Sequence, residues 1–130
     1  MGRKRRPSNP YKQFEIARII KQHKDDPGID VHKLKPGTKI KVKTAYTLYE
    51  FEVTDTPGRL LAQGGKYISG REEIILNGST YGGSMLRIGW IGQDMLMEYV
   101  LPTKRITSSR VVEATVVGPD WEYTVFSSPR

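Results

Sequence analysis

The sequence predicts a mainly β protein: a small antiparallel barrel or sandwich preceded by one amphipathic helix and a disordered basic arm. Val, Ile, Thr, Tyr, Phe and Trp together make 42 of the 130 residues, whereas Ala contributes only 4, a balance that favours strands over helices. From Leu34 onward, apolar and polar residues alternate with a period of two. Gly, Pro, Asn, Asp or Ser separates these short alternating segments, which is typical of an antiparallel β domain.

Residues 1–8 are predicted to form a flexible basic arm. Residues 3–6 are four consecutive cations, and the arm has too little apolar surface to offset the entropy lost on ordering. Residues 9–24 are predicted to form an amphipathic helix, because Asn9 suits the N-cap and Pro10 suits the first helical position. One face of that helix carries Ile16, Ile19, Ile20 and His23, and the opposite side includes Arg18, Lys21 and Lys24.

Residues 34–126 are predicted to form the β domain, which begins with a hairpin of the strands Lys39–Lys43 and Thr47–Val53. A turn centred on Ala45 and Tyr46 sets the register of the two strands. In that register the apolar pairs share one face and the charge pairs share the other, so the pairing is self-consistent. The opposite residues are Ile40 and Phe51, Val42 and Tyr49, Lys41 and Glu50, and Lys39 and Glu52.

Further strands are predicted wherever turn-forming residues bound an alternating segment. They are Leu60–Gln63, Glu73–Asn77, Met85–Ile91, Met95–Leu101, Val111–Val117 and Trp121–Phe126. The polar segment Thr103–Ser109 is predicted to be a loop, and Ser127–Arg130 is predicted to be a frayed tail.

Glycines in residues 77–92 predict special backbone geometry rather than a phosphate site. Residues 77–85 are rich in glycine and hydroxyl groups, but neither the lysine nor the helix of a phosphate-binding loop follows them. We therefore expect a turn with positive φ, or a close approach of two backbones. Gly89 and Gly92 flank Trp90 and indicate a bulge or a corner.

Two short segments resemble known groups of proteins. Residues 78–85 and 89–92 resemble a segment of small uncharacterised bacterial β-domain proteins, a resemblance that implies no function. Residues 34–42 have the pattern Leu-x-Pro-Gly-x-x-Ile-x-Val and are similar to the first strand of SH3-like small barrels, some of which occur in translation proteins.

Positive charge is concentrated at the front of the chain. The protein has 21 Lys and Arg against 14 Asp and Glu, but residues 1–43 carry a net +9 and residues 44–130 a net −2. Clustered cations neutralise phosphates and release counterions, so we expect nucleic-acid binding, to RNA rather than DNA because no DNA-reading motif is present. An acidic protein surface is the alternative partner. The predicted contacts are Arg3, Lys4, Arg5, Arg6, Lys12, Arg18, Lys21, Lys24 and Lys43.

Three of the lysines in this basic region share one face of a predicted strand. In the hairpin register Lys39 and Lys41 lie opposite Glu52 and Glu50, which predicts cross-strand charge pairs on a solvated face. Lys43 is left without an acidic partner.

The aromatic residues divide into two groups. Tyr49, Phe51 and Tyr99 fall on apolar faces and are expected in the core, whereas Tyr46, Tyr67 and Tyr81 fall in turns. Exposed rings of the second kind are candidates for stacking on nucleic-acid bases.

The composition excludes several kinds of active site. There is no cysteine, so disulfides, thiolate zinc sites and iron–sulfur clusters are absent. No Gly-x-Ser-x-Gly elbow is present, and we expect neither a cofactor nor an enzyme. The possible metal ligands match no zinc or calcium pattern, and neighbouring lysines repel a cation. They are His23, Asp25, Asp26, Asp30 and His32.

No apolar run approaches the roughly 18 residues of a membrane-spanning helix, and no signal-peptide core follows the N-terminus. Together with the lack of cysteine, this predicts an intracellular, cytoplasmic protein, or a nuclear one in a eukaryote, with no membrane partner.

The sequence therefore predicts a non-catalytic nucleic-acid-binding protein. Two alternatives stay open: a protein–protein interaction or structural module of a larger assembly, and a small metal-dependent enzyme built around residues 23–32. The specific ligand and the oligomeric state also stay open.

Overall fold

The computed structural model describes residues 26–129. The predicted arm, residues 1–8, and the predicted helix, residues 9–24, lie outside these residues. The described part is mainly β, and its single helical element is one 3-10 turn at Val31–Lys33. The strands are β1 (Gly28–Asp30), β2 (Lys39–Thr44), β3 (Leu48–Val53), β4 (Arg59–Gln63), β5 (Arg71–Thr80), β6 (Arg87–Ile88), β7 (Trp90–Gly92), β8 (Leu96–Leu101), β9 (Lys104–Val117) and β10 (Glu122–Ser127).

The hairpin of β2 and β3 has the predicted register. Ile40 lies opposite Phe51 and Val42 lies opposite Tyr49, and all four side chains are buried. The lysines and glutamates of both strands occupy the alternate positions, on the solvent side. The predicted register is therefore confirmed. Sequence alone could predict it because a shift of one residue would turn the apolar side chains of a strand to the solvent.

All strand pairs are antiparallel, and they form sheets rather than a closed barrel. A small sheet pairs β1 with β7, and the large sheet runs in the order β10, β9, β2, β3, β4, β5, β6. β8 lies off this path and pairs with the second half of β5 and the first half of β9. The mainly β class is confirmed. A closed barrel, one of the two predicted architectures, is not formed, and β6 and β10 each pair with a single neighbour.

The core lies on the inward faces of these strands. Every strand of the large sheet except β6 contributes buried apolar side chains to it. The largest fully buried side chains are Trp90, Tyr99, Phe51, Ile40, Leu60, Ile74, Leu76, Ile91, Met97, Val42, Val111 and Val116.

Two polar segments near the C-terminus are ordered, contrary to prediction. Thr103–Ser109, predicted to be a loop, lies almost wholly in β9. Its inward positions are Ile106 and Ser108, and the Ser108 hydroxyl accepts a hydrogen bond from the backbone N–H of Met97 at 2.9 Å. The sequence did not reveal this strand because, of its two inward residues, only Ile106 is apolar. The tail is not frayed at its start either, since the Ser128 N–H donates to the carbonyl of Val112 at 2.7 Å.

Glycines divide the predicted strand Met85–Ile91 into β6 and β7. Gly89 has φ +69°, and its N–H donates to the carbonyl of Asn77 at 2.9 Å. A Cβ on Gly78 would overlap the backbone of Arg87, so β5 and β6 approach closely only because this residue is glycine. The expected corner at Gly89 and the expected close approach in the glycine-rich segment are both confirmed.

Candidate nucleic-acid interface

Each arginine of the described domain lies within ion-pair distance of a carboxylate. All five arginines of residues 26–129 form ion pairs, and the partner of one of them is Asp26, the first described residue. An arginine already held by a carboxylate is poorly placed to neutralise a phosphate, since the carboxylate would have to be displaced. The pairs are Arg59–Glu73, Arg71–Glu52, Arg87–Asp26, Arg105–Glu98 and Arg110–Asp94.

Two lysines with no ion pair inside residues 26–129 place their ammonium groups over an exposed aromatic ring. The Nζ of Lys66 lies 5.5 Å from the ring centroid of Tyr67, and the Nζ of Lys104 lies 5.2 Å from it. Tyr67 is 45% exposed. We call these three residues the Tyr67 platform. It combines a half-exposed aromatic ring with two ammonium groups that can meet phosphates.

Two glycines allow the loop between β4 and β5 to carry this platform. Gly64 and Gly65 have φ of +100° and +81°. A Cβ on Gly64 would overlap the carbonyl oxygen of Leu48, and one on Gly65 would lie 2.7 Å from the ring of Tyr49. Ile68 is buried and anchors the other end of the loop. The loop therefore lies tightly against the start of β3, which fixes the position of Tyr67.

A buried tyrosine pair lies next to the loop that carries the platform, since the ring of Tyr49 packs against Gly65. The hydroxyls of Tyr49 and Tyr99 are hydrogen-bonded at 3.1 Å. Burial raises the pKa of Tyr99 well above its usual range, and the hydrogen bond with Tyr49 and the electrostatic influence of Tyr49 and Tyr67 add to this.

Of the sequence-predicted contact residues, Lys43 is the one that falls within residues 26–129. It is exposed on β2, opposite Leu48 of β3 and Glu113 of β9. As predicted, Lys43 has no acidic residue opposite it in the hairpin. Glu113 lies opposite it in β9, on the side away from the hairpin, but Lys43 forms no ion pair within residues 26–129. The others lie outside the described residues: Arg3, Lys4, Arg5, Arg6, Lys12, Arg18, Lys21 and Lys24.

Two of the four charged residues expected to pair within the hairpin form ion pairs with other strands instead. Lys39 and Lys41 lie opposite Glu52 and Glu50 as predicted. However, Lys41 pairs with Glu122 at 3.6 Å, and Glu52 pairs with Arg71. Because neighbouring strands on both sides compete for each charge, the hairpin alone did not determine the partners.

The outer face of β2, β3 and β4 contains a shallow groove of about 120 Å³. Its cations are Lys39, Lys41 and Arg71, and its carboxylates are Glu50 and Glu52. This mixture of charges makes the groove a poor site for a phosphate backbone.

The predicted division of the aromatic residues is confirmed. Tyr49, Phe51 and Tyr99 are buried, whereas Tyr46, Tyr67 and Tyr81 are exposed. Sequence reasoning singled out Tyr67 but missed Lys66 and Lys104. The adjacency of Lys66 was visible in the sequence, but the approach of Lys104 depends on the pairing of β8 with β5 and β9.

The described members of the predicted metal-ligand cluster have other contacts. Asp26 pairs with Arg87, and the Asp30 carboxylate accepts from the backbone N–H of His32 at 3.0 Å, which caps the 3-10 turn. Residues 26–129 contain no group of three or more metal-ligating side chains placed to hold an ion. His23 and Asp25 lie outside the described residues.

Within the described part of the chain, no helix is long and apolar enough to span a membrane. The chain matches no protein-family model, no curated protein and no solved structure.

Proposed function

We propose that this protein is a non-catalytic nucleic-acid-binding protein that prefers single-stranded or structured RNA. The observation that carries the proposal is the Tyr67 platform, a half-exposed ring with two lysine ammonium groups within 5.5 Å of its centroid. Unpaired RNA bases stack on rings of this kind, and their phosphates lie within reach of flanking cations.

The distribution of charge supports a second contact through the N-terminal segment. Residues 26–129 hold twelve Lys and Arg and twelve Asp and Glu, so the net charge of +7 belongs to residues 1–25 and Arg130. Non-specific affinity for a polyanion grows with the number of cations that meet phosphates. The electrostatic contribution is therefore assigned to the predicted arm and helix, and the base contact to the platform.

The first test measures binding to a fluorescent single-stranded RNA of about twelve nucleotides, and to duplex DNA, across a salt series. The proteins are the full chain, a chain lacking residues 1–8, and the variants Tyr67→Leu and Tyr67→Phe. Phenylalanine keeps the stacking surface, so it is the matched control. We expect Tyr67→Leu to weaken RNA binding roughly 5- to 150-fold, the range of one lost base stack, and Tyr67→Phe to bind nearly as the full chain does.

Removing residues 1–8 deletes four cations and should flatten the log–log salt slope by about 3. Equal binding by the full chain, the truncated chain and Tyr67→Leu would contradict the proposal. A stoichiometric protein complex that survives nuclease, with no affinity for RNA, would favour the alternative of an interaction module.

A further inference from the structure

The hairpin of β5 and β6 exposes an unusual amount of apolar surface. Tyr81 is 71% exposed, Met85 82% and Ile88 71%. These three residues, here called the hairpin patch, fall within eight positions of the sequence. Ile88 lies opposite Gly78, so it has no cross-strand side chain to pack against. Large exposed apolar side chains this close together in the sequence of one hairpin mark a contact surface.

The chain enters the described domain beside this patch. Asp26 forms an ion pair with Arg87, the residue that precedes Ile88. The carbonyl of Pro27 accepts from the N–H of Gln93 at 3.1 Å, and Gly28 lies opposite Gly92 in β7. Met85 is two residues from Arg87, and a chain of two residues spans at most about 7 Å. Residues 1–25 therefore join the domain at the hairpin.

The sequence that precedes this point predicts a helix with one apolar face. Ile16, Ile19 and Ile20 follow the spacing of one helix face in residues 9–24. An isolated helix of this length is marginal in water, because most helical stability in proteins comes from packing of the apolar face. Ile20 is six residues before Asp26, about 9 Å if the intervening residues are helical and about 20 Å if they are extended. Both distances allow contact with the hairpin patch.

We propose that residues 9–24 dock on the hairpin patch, with Ile16, Ile19 and Ile20 against Met85, Ile88 and Tyr81. The covalent connection at Asp26 favours this segment over a second copy or a separate protein, because a short tether gives an effective concentration on the order of millimolar. The inference does not depend on nucleic-acid binding.

Hydrogen exchange with mass spectrometry on the full chain, without nucleic acid, tests the proposal. The proteins are the unmodified chain, the double variant Met85→Lys with Ile88→Lys, and Tyr46→Lys as a control. Tyr46 is 89% exposed in the turn between β2 and β3 and belongs to another hairpin. We expect the amides of residues 12–24 to exchange at least tenfold faster in the double variant, and to be unchanged in the control.

Amides of β2 to β5 report whether the domain stays folded, and a reciprocal variant, Ile16→Lys with Ile20→Lys, should give the same loss of protection. Exchange of residues 12–24 that is fast in the unmodified chain, or equally slow in the double variant, would overturn the proposal. Protection that disappears on dilution would overturn it as well, since it would assign the patch to a second copy of the chain.

Discussion

The hydroxyl oxygens of Tyr49 and Tyr99 lie 3.1 Å apart in the core, and the two rings meet edge to face with their centroids 5.8 Å apart. Tyr99 is fully buried and Tyr49 is 5% exposed. Each hydroxyl is thus a buried polar group that depends on the other for its hydrogen bond. This pair links β3 to β8, and the ring of Tyr49 packs against Gly65 in the loop that carries Tyr67.

Removing one hydroxyl of this pair should cost more than removing both. Tyr99→Phe leaves the Tyr49 hydroxyl buried without its partner, so we expect a loss of about 1–3 kcal/mol in the free energy of unfolding. Tyr49→Phe should behave in the same way. The double variant should be no less stable than either single variant, because no orphaned hydroxyl remains. Urea denaturation of all four proteins gives the coupling energy, and strictly additive losses would show that the hydrogen bond contributes nothing.

The raised pKa of Tyr99 predicts sensitivity to alkaline pH. The unfolded chain releases the phenolic proton near pH 10, whereas the folded protein retains it to higher pH. The contribution is therefore fully present below pH 10 and is lost as the pH rises above it. We expect the free energy of unfolding to fall by up to about 1.4 kcal/mol per pH unit more than in Tyr99→Phe. Parallel pH profiles for the two proteins above pH 10 would contradict this.

The register of β2 and β3 predicts that alanine substitutions at the adjacent positions Glu50 and Phe51 have very different effects on stability. Phe51 is 2% exposed and belongs to the core, so Phe51→Ala should destabilise the protein by about 3–5 kcal/mol. Glu50 is on the solvent face, and Glu50→Ala should change stability by less than about 0.5 kcal/mol. Thermal or urea denaturation compares the two. Similar losses at both positions would mean that the alternation of faces is wrong.

Two glycines of the β5–β6 hairpin should respond differently to alanine. Gly78 has φ +150°, and a Cβ there would overlap the backbone of Arg87. We expect Gly78→Ala to cost about 1–3 kcal/mol through backbone strain. Gly83 lies in the loop of the same hairpin with open space around it, so Gly83→Ala should be nearly neutral. Equal stability of the two variants in urea would show that β5 and β6 do not approach as closely as described.

The alternation of apolar and polar residues predicted the structure correctly where one face of a strand had to be buried. The register that places Ile40 opposite Phe51 follows from alternation and one short turn. The exposure of Tyr46, Tyr67 and Tyr81 follows from their positions between alternating segments. The alternation did not predict the strand in Thr103–Ser109. There the inward residue Ser108 is hydrogen-bonded, and it takes a place where an apolar side chain would usually reveal a strand.

By itself, the sequence determined the mainly β class, the hairpin register, most strand positions and the location of the excess positive charge, because each depends on residue type and on neighbours close in the chain. Only the tertiary structure decided that β9 pairs with β2, β8 and β10, that Glu113 lies opposite Lys43, and that Lys104 approaches the ring of Tyr67. These contacts join residues that are distant in the chain. Their formation depends on how strands bend and change neighbours around the core, which no short stretch of sequence specifies.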